Sequence, residues 1–167
     1  PSSNFDLETP SPHRVGALCA VFGLCGGCAI QEADEHTYTQ WKKSLVDTAL
    51  APLSLSHHVS SLIEAHGQGR RRVTFHARRH EGDILIGFMR AKSHELVEFE
   101  TCPVLVPSLQ KSASLLKPLA RLVLKSEKPI DLAVTATISG WDVDIRGHGP
   151  ASPELRMKLT REAEALD

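Results

Sequence analysis

The sequence predicts an α+β fold in which an antiparallel sheet of about five strands packs against about three helices. Apolar and polar residues alternate with a period of two in several short segments between 72 and 146, which is typical of half-buried strands. The tight turn Ser139-Gly140 joins two of these segments into a hairpin. Apolar stripes at helical spacing occur before, between and after the strands, and a cysteine-rich loop precedes the first helix.

The first predicted helix begins after Asp34, a typical N-cap residue, with Glu35 in its first turn. Its apolar stripe consists of Tyr38, Trp41, Leu45 and Ala49. Pro52 cannot donate a backbone hydrogen bond and is predicted to end this helix.

The alternating segments predict five strands, at residues 72–78, 84–89, 96–99, 131–138 and 141–146. The second segment is apolar on both sides around Gly87, which indicates a strand inside the sheet. A leucine-rich helical segment at 107–124 contains Pro118, which is expected to kink or split it. Ser152-Pro153-Glu154 then provides an N-cap, a first-turn proline and a first-turn acid for a final helix.

Length and composition are those of an ordinary folded chain: 167 residues, 41% hydrophobic, 23% charged, with a formal net charge of -1. A chain of this size can bury about two-thirds of the surface that it exposes when unfolded, so it does not need disulfides. No apolar run approaches the roughly 20 residues of a membrane helix, and no signal peptide opens the chain. We therefore predict a cytoplasmic monomer with no membrane partner.

Three of the four cysteines, Cys19, Cys25 and Cys28, lie within ten residues, and Cys102 follows much later, before Pro103. Four thiolates hold an iron–sulfur cluster, and a cysteine followed by proline recurs in such motifs. Gly26 and Gly27 have no side chain, so the loop can wrap closely around a cluster. The sequence therefore predicts one metal site made of all four thiols, with an iron–sulfur cluster as the favoured occupant.

Two other interpretations of the cysteines remain open. A four-cysteine zinc site usually has two CxxC knuckles, whereas only Cys25 and Cys28 form one here. The four residues could also be buried or incidental cysteines, free or oxidised.

Basic residues cluster at the start of the first strand and continue onto the next hairpin. The candidate RNA contacts are Arg70, Arg71, Arg72, Arg78 and Arg90. Arginines on the open face of a sheet can contact phosphates and stack on unpaired bases. The alternative interpretation is a solvated polar face without a partner.

The cysteine pattern, with Phe22 and Gly23 inside it, resembles the signature of the iron–sulfur 23S ribosomal RNA (uracil-5-)-methyltransferases. Later segments match the family in order, namely Gln31, Tyr38, Lys43 and Val46, then Arg70-Arg71-Arg72, then Gly87-Phe88, Arg90, Ser93-His94 and Val97, and finally Cys102-Pro103. The resemblance spans about residues 10–150.

Enzymes of that family are modular, with an N-terminal TRAM domain, a central domain that carries a 4Fe–4S cluster, and a C-terminal domain that binds S-adenosylmethionine. The resemblance implies that residues 15–167 are the central domain and that residues 1–14 are a linker or the remnant of a preceding TRAM domain. The methyltransferase module is expected to be absent, because the chain resembles only the central module and shows no glycine-rich cofactor fingerprint.

The resemblance implies that Cys19, Cys25, Cys28 and Cys102 hold the 4Fe–4S cluster and that the arginines contact ribosomal RNA. No catalytic residue transfers to this chain, and S-adenosylmethionine is expected to bind outside it. The first hypothesis is therefore the central domain of a methyltransferase in ribosomal RNA processing that modifies carbon 5 of a uridine. The alternative is a stand-alone iron–sulfur or zinc module for electron transfer or RNA binding.

Overall fold

The computed structural model describes residues 15–28, 30–55, 59–63 and 69–166, and it confirms the predicted α+β class. The predicted linker or TRAM remnant at 1–14 lies outside the described residues. The chain divides into two compact units, and the described residues of the first are 15–18 and 30–63, apart from 56–58. Residues 19–28 and 69–166 belong to the second unit. Within the described residues, no helix is long and apolar enough to cross a membrane.

The first unit is built on helix α1, Glu35–Leu50. The carboxylate of Asp34 caps it by accepting a 2.7 Å hydrogen bond from the Thr37 N–H, as the sequence predicts. A 3-10 turn, Ala51–Leu53, follows directly and contains Pro52. No residue of α1 is fully buried, and Leu45 in its apolar stripe is 45% exposed.

The second unit contains a five-stranded antiparallel sheet with the order β3-β2-β1-β4-β5. The strands are β1 Arg72–His80, β2 Asp83–Met89, β3 Leu96–Val97, β4 Ile130–Thr137 and β5 Gly140–Arg146. Strand β3 is shorter than the predicted 96–99, and the other predicted boundaries shift by up to two residues. The central strand is β1, where Phe75 is fully buried and lies opposite Leu132.

Gly87 allows β3 to join the sheet. It is buried on β2, and a Cβ at this position would overlap the carbonyl oxygen of Val97 on β3. The two strands therefore approach more closely than any residue with a side chain would permit. The sequence-based placement of β2 inside the sheet is confirmed.

Helices cover one face of the sheet, and the segment at 107–124 is divided as Pro118 predicts. It forms a 3-10 turn Pro107–Leu109, then α2 Ser112–Leu115 and α3 Lys117–Val123, with the proline in the first turn of α3. Helix α4, Pro153–Glu164, packs on α3. The Ser152 hydroxyl caps α4 by accepting a 3.1 Å hydrogen bond from the backbone of its first turn.

Candidate functional site

The cysteine loop, residues 19–28, belongs to the same unit as the sheet and is docked on the end of β2. Cys25 forms an isolated antiparallel bridge with Arg90, and the Gly26 N–H donates a 2.9 Å hydrogen bond to the Met89 carbonyl. A Cβ on Gly26 would lie 3.0 Å from that carbonyl oxygen and 3.2 Å from the backbone of Ala91. The absence of a side chain therefore permits the close approach of the loop.

Cys102 lies in the segment after β3 and is only 7% exposed. Its N–H donates to the Gln110 carbonyl over 3.3 Å, and its own carbonyl accepts a 3.1 Å hydrogen bond from Leu105. These bonds hold it in a tight turn that is part of the apolar core. The fourth thiol is thus positioned by the folded sheet unit.

The thiols of Cys19, Cys25 and Cys28 lie within electrostatic reach of Cys102, and none of the four cysteines forms a disulfide. Burial raises the pKa of Cys102, a hydrogen bond from Val104 opposes this, and the charges of Cys28, Cys19 and Cys25 raise the pKa further.

The pKa of Cys25 is also raised, first by burial and then by Cys28 and Cys19. The Gly27 N–H opposes that increase by donating a 3.3 Å hydrogen bond to the Cys25 sulfur. The chain therefore brings together residues that lie far apart in sequence.

This donor set fits the chemistry of an iron–sulfur cluster, because it offers four cysteines outside any disulfide and a backbone N–H directed at one of the sulfurs. In the part of the chain that the structure describes, no group of three or more His, Cys, Asp or Glu side chains has the arrangement of a metal-ion site. The assignment of Cys19, Cys25, Cys28 and Cys102 as ligands stays a prediction.

The five predicted RNA-contacting arginines do not form one row. Arg72 and Arg78 lie on the open face of β1, whereas Arg90 follows the end of β2. Arg71 is exposed beside the start of β1. The backbone of Arg70 forms a bridge with the segment at Leu105. A role for these residues in RNA binding stays a prediction.

The open face of the sheet has mixed charge. His76 Nδ1 lies 2.7 Å from the Asp131 carboxylate on the neighbouring strand β4. Asp144 on β5 pairs with Arg146 at 2.7 Å, and the Arg72 guanidinium donates to the Thr135 hydroxyl over 3.3 Å. The arginine alternation in β1 did not reveal these polar and acidic neighbours, since strand order is not visible in the spacing of one strand.

A groove beside the cysteine loop was not singled out from the sequence. It has a volume of about 560 Å³ and is lined by Gly26, Gly27 and residues 88–94. The available sequence signals were Arg90, already a candidate RNA contact, and Lys92, a basic residue in the turn between β2 and β3.

Comparison with known proteins identifies relatives over most of the chain, although no family model matches it. A protein of Brucella suis biovar 1 (strain 1330), named as an uncharacterized RNA methyltransferase, is 37% identical over 154 residues, which is 92% of this chain and 37% of that protein. A protein of Rhizobium meliloti (strain 1021) with the same description is 33% identical over 156 residues, 90% of this chain and 38% of that protein.

A third relative carries a more specific name. The 23S rRNA (uracil(1939)-C(5))-methyltransferase RlmD of Halomonas elongata is 35% identical over 127 residues, which is 74% of this chain and 26% of that protein. The chain is homologous, over most of its length, to proteins named as RNA methyltransferases. The resemblance predicted from the cysteine motif and the segments after it is therefore confirmed. The chain spans less than two-fifths of the length of these three relatives.

Proposed function

We propose that the chain is one part of an S-adenosylmethionine-dependent enzyme that methylates carbon 5 of a uridine in 23S ribosomal RNA. The observation that carries this proposal is the similarity to a protein named as a 23S rRNA uracil-C5 methyltransferase over 74% of the chain. We further propose that the methyl donor binds outside this chain, that the chain alone does not transfer methyl groups, and that the enzyme works in the cytoplasm.

In this proposal, Cys19, Cys25, Cys28 and Cys102 hold a 4Fe–4S cluster. The absence of a disulfide among these four cysteines, their mutual electrostatic influence and the docking of the loop on β2 support this assignment. Such a cluster supplies covalent links between its cysteine ligands. The role of the cluster is then structural: it would hold the loop at 19–28 and the segment after β3 in one arrangement.

The chain also positions RNA in this proposal. Arg71 and Arg72 are exposed, which leaves their guanidinium groups accessible to phosphate oxygens. Arg78 carries a buried Nε that has no hydrogen-bond partner among the described residues. Arg70 and Arg90 complete the predicted set. These arginines would hold the RNA while a uridine is flipped out of the structure for chemistry elsewhere.

Anaerobic purification of the 167-residue chain tests the cluster. We expect the broad visible absorption of an iron–sulfur cluster, with iron and sulfide in the ratio of a 4Fe–4S centre. The single variants Cys25→Ser and Cys102→Ser should each lower the iron content. Stoichiometric zinc without sulfide would instead favour the alternative of a zinc module. A purified chain that contains neither metal nor sulfide would contradict the ligand assignment.

Analysis of ribosomal RNA tests the enzymatic part of the proposal. Deletion of the gene that encodes this chain should remove one 5-methyluridine from 23S ribosomal RNA, as measured by mass spectrometry of RNA digests. Restoring the intact gene should restore the modified base. An unchanged 5-methyluridine content after deletion would contradict the assignment. The purified chain alone, supplied with the unmethylated RNA and S-adenosylmethionine, should show no methyl transfer.

A further inference from the structure

The groove beside the cysteine loop has the dimensions of a ligand site. It lies between Gly26-Gly27 and the turn that joins β2 to β3, entirely within the sheet unit. Its volume of about 560 Å³ falls within the range of roughly 300–1,000 Å³ that is usual for small-ligand pockets. Both walls are anchored, because the Gly26 N–H and the Met89 carbonyl form a backbone hydrogen bond across them.

The charge of the groove is basic. Arg90, Lys92 and His94 line it, and no acidic side chain does so among the described residues. Glu95 lies outside the lining and holds the Arg90 guanidinium, with 3.0 Å between Oε2 and Nε and 3.5 Å between Oε1 and Nη2. Lys92 is exposed and has no ion-pair partner in the described part of the chain. The groove therefore offers an oriented guanidinium and an unpaired ammonium to an anion.

The backbone of Lys92 is unusual. Its φ angle is +56°, a left-handed conformation that few residues other than glycine adopt. A glycine would accept this conformation more easily, so the lysine does not serve the turn itself. This feature also allows the charge to be removed by a substitution that does not strain the fold.

An aromatic ring lines the same groove. Phe88 is partly exposed there, and its ring is stacked on Phe99 with 5.1 Å between centroids and an angle of 12°. Phe75 supports it from the core at 5.3 Å. Aromatic side chains held rigidly beside cationic groups are the combination that binds unpaired nucleotides, because every base has a face that can stack.

We propose that this groove binds one unpaired nucleotide of the RNA substrate, with its phosphate at Lys92 and Arg90 and its base against Phe88. The inference rests on the proposed function, since RNA is the ligand class that it assumes. It places the principal RNA contact beside the cysteine loop. The open sheet face is less suitable, because Asp131 and Asp144 lie among its basic residues.

Fluorescence anisotropy with a labelled single-stranded RNA of about ten nucleotides tests the groove in the 167-residue chain. We expect Lys92→Gly to weaken binding about fivefold. The plot of log K against log salt should become less steep, with the magnitude of its negative slope reduced by about 0.7, as expected for one lost phosphate contact. Phe88→Leu should weaken binding about tenfold with an unchanged slope, because it removes stacking and no charge.

Lys125→Gly is the matched control, since it removes the same charge from an exposed position outside the groove. It should leave affinity and salt slope as in the wild type. Thermal unfolding should show Lys92→Gly to be at least as stable as the wild type, so that weaker binding cannot come from unfolding.

Two results would contradict the proposal that the groove binds a nucleotide. If Lys92→Gly and Phe88→Leu bind RNA like the wild type while Arg72→Gln binds weakly, the RNA lies on the sheet face. If the wild-type chain binds no RNA, the groove is not a nucleotide site. In both cases the proposed methyltransferase function is tested separately, by the 5-methyluridine content of the deletion strain.

Discussion

The substitution Gly87→Ala tests how the sheet unit is assembled around its edge strand. An added Cβ would overlap the Val97 carbonyl oxygen, which is backbone and cannot move aside by changing a rotamer. Either β3 detaches from β2 and the pairing is lost, or the two strands stay paired in an overpacked, strained arrangement. The first outcome removes the pairing of Phe88 with Val97 and exposes a valine that is only 9% exposed.

Either outcome has a similar cost. Loss of the buried valine destabilises by about 1.5 kcal/mol and each lost backbone hydrogen bond by about 1 kcal/mol, whereas overpacking costs about 1–3 kcal/mol. We therefore expect Gly87→Ala to lower the free energy of unfolding of the sheet unit by about 2–3 kcal/mol. Urea denaturation measures this free energy of unfolding. The transition is followed through the fluorescence of Trp141 on β5, in a Trp41→Phe background.

The same variant should expose the candidate fourth ligand. Cys102 is buried and follows β3 closely along the chain, so a displaced β3 should speed its alkylation under native conditions. Peptide mass spectrometry measures that rate. Gly16→Ala is the control, because no atom lies within 4 Å of the added Cβ, and its stability should change by less than about 1 kcal/mol. A Gly87→Ala chain within about 0.5 kcal/mol of the wild type would refute the reasoning.

Two further predictions concern stability. Ser152→Ala removes the N-cap hydrogen bond of α4 and should cost about 1 kcal/mol in urea denaturation, whereas Ser152→Asp should retain most of the stability. The pKa of Asp83 is lowered, first by a hydrogen bond from the Ile84 N–H. Its contribution is complete above its ordinary pKa and lost as pH falls through the lower folded value, so Asp83→Asn should flatten the acid side of the stability curve. Identical urea midpoints for Asp83→Asn and wild type across that range would contradict this.

Local sequence patterns predicted most of the elements correctly. The alternation in β1 reflects a strand with one face in the core, so its buried residues could be identified without a structure. Pro118 predicted the division of the helical segment, because proline lacks the N–H that a continuous helix requires. The family was also visible in the cysteine spacing, and the relatives confirm it.

Contacts between strands were less predictable. The pairing of His76 with Asp131 depends on β4 lying beside β1, which joins residues 55 positions apart. The apolar stripe of α1 correctly predicted a helix, but periodicity did not predict that none of its residues would be fully buried. Burial depends on the neighbours of a helix and not on its own spacing.

The sequence by itself determined the α+β class, the periodic strands and helices, the four-cysteine motif and the family. These depend on the spacing of residues along the chain and on local backbone preferences. Only the tertiary structure decided that acids of β4 and β5 share the open sheet face with the arginines of β1, and that a basic groove borders the cysteine loop. Each of these depends on which distant segments become neighbours, and therefore on strand order, which no short stretch of sequence contains.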